Sequence, residues 1–227
     1  MDITFSKRDE FSRKVIAENV MTLLSADIDV SPMIIDGGWG TGKTEFCHKL
    51  INLMNKPNKY HSIYVDAFRA DHADEPLMTV LAEVAKILPD ESKKSFIKQA
   101  LPVARFGLSA VARAGVSHLL RQNTSELIDD FKKEIHKATD KAIDFSVNSL
   151  LEDHIQADDN LRILQNSLKD IASEKPIVLF IDELDRCRPD FAVNMLEVIK
   201  HIFNVEGVKI VLITNMQQLI ASISHSY

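Results

Sequence analysis

The sequence predicts an α/β fold in which a parallel β-sheet is covered by helices. Short apolar runs, typical of buried strands, alternate along the chain with longer segments whose apolar residues recur at helical spacing. The 227 residues are 45% hydrophobic and 26% charged, the balance of an ordinary globular protein. A chain of this length buries most of the surface that its unfolded form exposes, so it needs no disulfide to fold.

Charge and cysteine content exclude some classes of protein. The formal net charge of -6 argues against a protein that mainly coats nucleic acid, and no strong nucleic-acid signal is found. The two cysteines, Cys47 and Cys187, show neither metal-binding nor secretory spacing, and the N-terminal segment has no apolar core of the signal-peptide kind. We therefore predict a reduced, cytoplasmic compartment.

The first third of the chain is predicted to alternate helix and strand. A helix is predicted over 8–25, with Phe11, Val15, Val20, Leu23 and Leu24 at helical spacing. A strand at 32–37 leads into a glycine-rich loop and a helix at 43–54. A strand at 61–68 then precedes a helix at 73–88, which has proline in its first turn and again just beyond its end.

The middle of the chain, residues 90–174, is predicted to be a mostly helical insertion. An apolar stripe along 124–145 indicates a long amphipathic helix. A second helix is indicated by apolar residues at helical spacing, namely Leu161, Leu164, Leu168 and Ile171. Residues 99–120 are rich in apolar side chains, but Arg105 and Arg113 interrupt them, so contact with other helices or with a membrane surface is predicted rather than a membrane span.

Two further strands are predicted near the end of the chain, at 176–182 and 207–214, with a helix at 189–203 between them. The sheet is thus predicted to come from residues 1–89 and 175–227, on either side of the insertion.

The glycine-rich loop "DGGWGTGKTEF" carries the clearest chemical signal. It holds four of the seven glycines in the chain and matches the pattern G-x-x-x-x-G-K-[ST] between a strand and a helix. A phosphate chain needs backbone N–H groups that converge on its oxygens, and side chains there would block its approach and forbid positive φ angles. The residues predicted to bind nucleotide are Gly37, Gly38, Trp39, Gly40, Thr41, Gly42, Lys43, Thr44 and Glu45.

Three of these residues have individual predictions. Lys43 is predicted to place its charge on the β- and γ-phosphates, and Thr44 its hydroxyl on Mg²⁺. Trp39 has two interpretations: it covers the phosphates, or it shields the loop from solvent. The alternative to the whole site is an ordinary glycine-rich turn, although a complete match by chance is rare in a chain this long.

Hydrolysis also requires a carboxylate that orders the metal and a group that orients water. A buried strand is predicted to end at Asp182, on the edge of the sheet where ligands bind. Asp182 is therefore predicted to hold Mg²⁺ and Glu183 to act as general base. Asn215, after the last strand, is either a sensor of the γ-phosphate and the attacking water or the N-cap of the next helix. The candidate catalytic residues are Lys43, Glu183 and Asn215.

Two arginines follow the acidic cluster, Arg186 and Arg188. Either is a candidate arginine finger, a residue that stabilises the charge of the transferred phosphate. The favoured interpretation is structural and pairs Arg186 with Asp185 or Asp190.

The order of these motifs resembles the KAP family of P-loop NTPases. The resemblance rests on "SKRDEFSRKVIAENV", "DGGWGTGKTEF", "IYVDAFRADHADEPL", "FIDELDRCRPDFAVNMLEVIKHIF" and "VKIVLITNMQQLIASISHSY". It implies a P-loop NTPase of the additional-strand, catalytic-glutamate type, with a large helical insertion between the second strand and the Walker B strand that ends at Asp182. It also implies a further strand and a helical region beyond Tyr227. Asn215 departs from the family, whose members often carry Asp there.

The resemblance implies Mg²⁺-dependent ATP binding and hydrolysis that drives a conformational or assembly change, through self-association or a protein partner. Family members act in membrane-associated complexes or in bacterial phage defence, so membrane contact without a span and antiviral defence are expectations here. A nucleotide-gated scaffold without turnover is the alternative. A DNA-acting motor is disfavoured by the net acidity, and a GTPase by the lack of an N-K-x-D signature.

Overall fold

A four-stranded parallel sheet organises the protein. The computed structural model describes residues 3–9, 11–26, 28–73, 75–112 and 147–225. The strands are β1 (Met33–Asp36), β2 (His61–Asp66), β3 (Ile177–Asp182) and β4 (Val208–Thr214). Each pairs in parallel with its neighbours in the order β1-β4-β3-β2. The predicted α/β fold with a parallel sheet is confirmed.

Helices connect and cover the strands. They are α1 (Lys14–Ser25), α2 (Lys43–Asn55), α3 (Ala67–Asp71), α4 (Pro76–Lys86), α5 (Asp90–Ala112), α6 (Val147–Glu174), α7 (Pro189–Ile202) and α8 (Met216–Ser224). A 3₁₀ turn, Leu184–Arg186, follows β3. The helices α5 and α6, which lie between β2 and β3 in the sequence, pack against each other. The amphipathic helix predicted over 124–145 lies outside the described residues.

The first helix is shorter than predicted, because it begins at Lys14 and not at residue 8. The carboxylate of Asp9 accepts the N–H groups of Arg13 at 2.7 Å and of Lys14 at 3.1 Å, which satisfies the first amides of the helix. The predicted apolar stripe is also partly wrong. Of its members, Phe11, Val15 and Leu23 are exposed.

The second strand also ends earlier than predicted. Its last residue is Asp66, whose carboxylate accepts the N–H of Arg69 at 2.8 Å and so caps α3. The segment predicted as one helix over 73–88 therefore becomes α4 at 76–86, preceded by the short α3. Pro76 does occupy the first turn of α4, where its missing N–H costs nothing.

The side chains of β3 alternate between two cores. Odd-numbered residues such as Leu179 pack in the core formed with α4 to α7, and even-numbered residues such as Phe180 pack in the core formed with α1 and α2. All six residues of the strand are buried, as expected for a central parallel strand. The alternation puts Asp182 on the same face as Phe180, toward the beginning of α2.

A close contact forms where the chain enters β4. Gly207 has φ +81°, and a Cβ added there would lie 2.8 Å from the Cβ of Ala172. Gly207→Ala is therefore expected to lower the free energy of unfolding by about 2 to 4 kcal/mol, through left-handed strain and overpacking. Urea denaturation measures this loss. Gly40→Ala is the matched control, because φ there is +75° but no atom lies within 4 Å. Equal losses in the two variants would show that the contact with Ala172 contributes nothing.

The described residues contain no helix that is both long enough and apolar enough to cross a membrane. Of the apolar segment 99–120, α5 includes residues 99–112, and the rest lies outside the described residues.

Candidate functional site

A cavity of about 230 Å³ lies where β1 and β3 end, between the glycine loop and the turn after β3. It is named the loop cavity here, and its lining is Gly38, Trp39, Gly40, Thr41, Gly42, Lys43, Thr44, Asp182, Glu183, Asp185 and Arg186. Seven of the nine residues predicted to bind nucleotide thus lie together with both predicted carboxylates.

Asp182 and Thr44, the two predicted metal-binding residues, are in direct contact. The Asp182 carboxylate is 1% exposed and accepts a hydrogen bond from the Thr44 hydroxyl. It also accepts the Tyr64 hydroxyl at 3.2 Å and the N–H of Glu183 at 2.8 Å. Burial raises the pKa of Asp182 above its ordinary value, and these three donors only partly offset the rise.

The donors at this point suit Mg²⁺ bound together with phosphate. Mg²⁺ in nucleotide sites is usually held by one or two protein oxygens, phosphate oxygens and waters, rather than by a cage made of protein alone. In the part of the chain that the structure describes, no group of three or more His, Cys, Asp or Glu side chains could hold a metal ion. The hydroxyl of Thr44 and the carboxylate of Asp182 supply the oxygen donors of a mixed site, so these residues fit the ion.

Glu183 occupies a strained backbone position at the edge of the loop cavity. Its φ of 60° and ψ of 27° lie in the left-handed region, which costs a residue with a side chain about 1 kcal/mol or more. Strained positions of this kind cluster at functional sites. Its N–H also donates to the carbonyl of Ile213 at 3.2 Å, which connects β3 to β4. Burial raises the pKa of Glu183, while Arg186 works in the opposite direction.

Of the two arginines after β3, Arg186 has a different partner from the one predicted. Arg186 Nη1 lies 3.2 Å from Oε1 of Glu183, so its ion pair is with the predicted general base and with neither predicted aspartate. Arg188 donates from its Nε and its backbone N–H to the Asp71 carboxylate, both at 3.1 Å. Arg188 is therefore held by Asp71, a partner that sequence reasoning did not identify.

A buried carboxylate, Asp185, ties the glycine loop to the end of β4. It accepts the indole N–H of Trp39 at 2.8 Å and the hydroxyl of Thr214 at 3.0 Å. Burial raises its pKa, but these donors and the N–H of Asn215 outweigh it, so the pKa of Asp185 lies below its ordinary value. Sequence reasoning did not identify this role, because Trp39 and Asp185 lie 146 residues apart.

Asp185→Asn is expected to loosen the loop. An amide has one acceptor oxygen where the carboxylate has two, so a buried donor loses its partner at a cost of about 1 to 3 kcal/mol. Trp39 is the single tryptophan of the chain, so the fluorescence of the protein reports on this loop. In the variant, acrylamide should quench it more easily, and the midpoint of unfolding should move to a lower urea concentration. Asp190→Asn, at a side chain 67% exposed, is the control that should change neither reading. Unchanged quenching in Asp185→Asn would rule out the bond in solution.

The ammonium group of Lys43 lies folded onto the loop. Its Nζ donates to the carbonyl of Gly37 at 2.6 Å and to that of Gly38 at 3.1 Å. Among the described residues no carboxylate forms an ion pair with it, so its charge is available to an anion. The loop conformation requires glycine at two places, since φ is +75° at Gly40 and +80° at Gly42. Gly42 immediately precedes α2, whose first amides therefore meet the loop.

Three predicted residues lie outside the lining of the loop cavity. Gly37 begins the loop and donates its N–H to the carbonyl of Thr214 at 3.3 Å. Asn215 accepts the N–H of Gln218 at 3.2 Å and so forms the N-cap of α8, in agreement with one of its two interpretations. Glu45 faces a second pocket.

That second pocket, named the N-terminal pocket here, has a volume of about 220 Å³. It is formed by the segment before α1, the glycine loop and α2, and its lining is Phe5, Arg8, Asp9, Phe11, Arg13, Gly40, Thr41, Gly42, Glu45, Phe46 and Lys49. Sequence reasoning missed it, because the segment was predicted to be part of a helix.

Comparison with known proteins places the chain in a family. A search of curated proteins found no match to the chain. A model of the KAP family P-loop domain matches residues 13–227, which include the glycine loop, the strand that ends at Asp182 and the rest of the sheet. The chain therefore belongs to the KAP family of P-loop NTPases.

Proposed function

We propose that this chain is a Mg²⁺-dependent ATPase whose turnover drives a change of conformation or assembly. The observation that carries the proposal is the meeting of Lys43 and Thr44 with Asp182 and Glu183 in one cavity. Membership of a P-loop NTPase family supports NTPase activity in general. ATP rather than GTP is proposed because the chain has no N-K-x-D signature.

We also assign the domain to the additional-strand, catalytic-glutamate division. The position of β4 between β1 and β3 supports this assignment, because it places a strand between the glycine loop and the strand that carries the metal-binding carboxylate. Glu183, directly after Asp182, supports it further. The proposed organisation keeps 1–89 and 175–227 as the NTPase core and 90–174 as the helical insertion.

The chain's own residues suggest how the reaction proceeds. The loop amides and Lys43 would bind and orient the phosphates. Thr44 and Asp182 would hold Mg²⁺, which when bound supplies charge neutralisation for the phosphate oxygens. Glu183 would accept a proton from the water whose oxygen bonds to the γ-phosphorus, while the bond from that phosphorus to ADP breaks. Asn215 is proposed to contact the same water and phosphate.

The partner and the biological role belong to the same proposal. Self-association or a protein partner would receive the change produced by turnover, and the family resemblance suggests membrane-associated complexes or bacterial phage defence. These roles rest on analogy with the family, and the site chemistry is independent of them.

One observation favours a second candidate function, a nucleotide-gated scaffold. Arg186 pairs with the carboxylate of Glu183, and this ion pair opposes protonation of the base, although burial raises the pKa of Glu183 overall. In such a scaffold, ATP occupancy alone would set the state of the protein.

The experiment that tests the proposal measures phosphate release from ATP by the chain, with Mg²⁺ and with excess chelator. Release that requires Mg²⁺ supports the ATPase. ATP binding without release, under every partner condition tried, would support the scaffold instead. An absence of ATP binding would overturn both.

A further inference from the structure

The N-terminal pocket adjoins the loop cavity across the glycine loop. The two share Gly40, Thr41 and Gly42, and Glu45, which follows Thr44 at the start of α2, lines the N-terminal pocket. A phosphate chain bound by the loop would therefore have a second space of about 220 Å³ beside it.

We propose that the N-terminal pocket holds the adenine base and ribose of the bound nucleotide, an inference that rests on the proposed function. Phe11 in this pocket is 75% exposed, and the guanidinium carbon of Arg13 lies 4.9 Å from the centre of its ring. Nucleobases stack on aromatic rings and on guanidinium planes. A bound base would remove this apolar ring from water, which is favourable in itself.

The walls of the pocket are fixed before any ligand enters. Arg13 Nη1 donates to the carbonyl of Thr41 at 2.8 Å, which holds the segment before α1 against the glycine loop. Deeper in the pocket, the rings of Phe5 and Phe46 pack edge to face with their centres 5.9 Å apart. A preformed pocket loses little conformational entropy on binding, so stacking contributes fully to affinity.

The polar groups of the pocket favour adenine over guanine. Guanine presents adjacent N–H donors that need an acceptor, and leaving them unpaired is costly. Among the described residues that line it, the pocket contains two carboxylates, and both already have partners. Asp9 accepts the first amides of α1, and Glu45 lies 2.8 Å from the ammonium of Lys49. Adenine makes a smaller demand for acceptors of this kind.

The test compares ATP with inorganic tripolyphosphate, which has the phosphates and lacks the nucleoside. Trp39 lines the loop cavity and is the single tryptophan of the chain, so its fluorescence can follow the binding of both ligands. In Phe11→Ala we expect the affinity for ATP to fall about tenfold, the usual scale of a lost stacking contact. The affinity for tripolyphosphate should stay within about twofold, because Phe11 does not line the loop cavity.

Phe68→Ala is the matched control. It removes another exposed phenylalanine, one that lines neither cavity, and should change neither affinity. The inference is overturned if Phe11→Ala leaves ATP binding unchanged, or if it weakens ATP and tripolyphosphate equally, since Phe11 would then only support the loop. Equal binding of GTP and ATP by the wild-type chain would overturn the assignment of adenine. If the wild-type chain binds tripolyphosphate as tightly as ATP, only this inference is overturned. If it binds neither ligand, the proposed function is overturned as well.

Discussion

Glu183→Gln is expected to lower the rate of ATP hydrolysis by about 100-fold or more, the scale of a lost general base. Glutamine has nearly the same shape but cannot accept a proton from water. The affinity for Mg·ATP should change by less than about threefold, because in the proposed mechanism the loop binds the phosphates and this side chain does not. Single-turnover phosphate release gives the rate, and Trp39 fluorescence gives the affinity.

Glu197→Gln is the control for this substitution. Its side chain is 57% exposed on α7, pairs with His201 and does not line the loop cavity. Normal turnover in Glu183→Gln would exclude Glu183 as the general base. A loss of binding together with turnover would mean that the carboxylate acts in holding the nucleotide, which the proposed mechanism does not include.

The parts of the site that the sequence predicted are those with a local pattern. The glycine loop is one continuous segment, and its conformation follows from positive φ angles at Gly40 and Gly42. Asp182 was predicted from the apolar run before it, because a buried parallel strand presents its last residue at the edge where ligands bind. Parallel strands bring such segments together at one edge of the sheet, so their meeting in the loop cavity was predictable in outline.

The parts that were missed depend on contacts between distant segments. The bond from Trp39 to Asp185 joins residues in two separate loops, and no spacing rule pairs them. The start of α1 was predicted too early, because the helical spacing of apolar residues extends back to Phe11. In the structure, the Asp9 carboxylate accepts the N–H of Lys14, and the helix begins at Lys14. Periodicity also cannot tell that Phe11 is exposed, since exposure depends on what packs against that face.

Lys43→Ala is expected to weaken binding of both Mg·ATP and tripolyphosphate by about 100-fold, the usual scale for removing one partner of a close charge pair. In the structure its ammonium group is bonded only to the carbonyls of Gly37 and Gly38, as far as the described residues go. These bonds are easily exchanged for phosphate oxygens or water. Stability should therefore change by less than about 1 kcal/mol, because water can replace the lysine at both carbonyls.

The control is Lys169→Ala, at a lysine 55% exposed that pairs with Glu206. If Lys43→Ala binds both ligands with wild-type affinity, Lys43 does not bind phosphate. If the variant instead loses much of its stability, the role of Lys43 is structural. Comparing the affinities of Lys43→Ala and Phe11→Ala distinguishes contacts to the phosphates from contacts to the nucleoside. Lys43→Ala should weaken ATP and tripolyphosphate alike because it acts on phosphate, whereas Phe11→Ala should weaken ATP alone because it acts on the nucleoside.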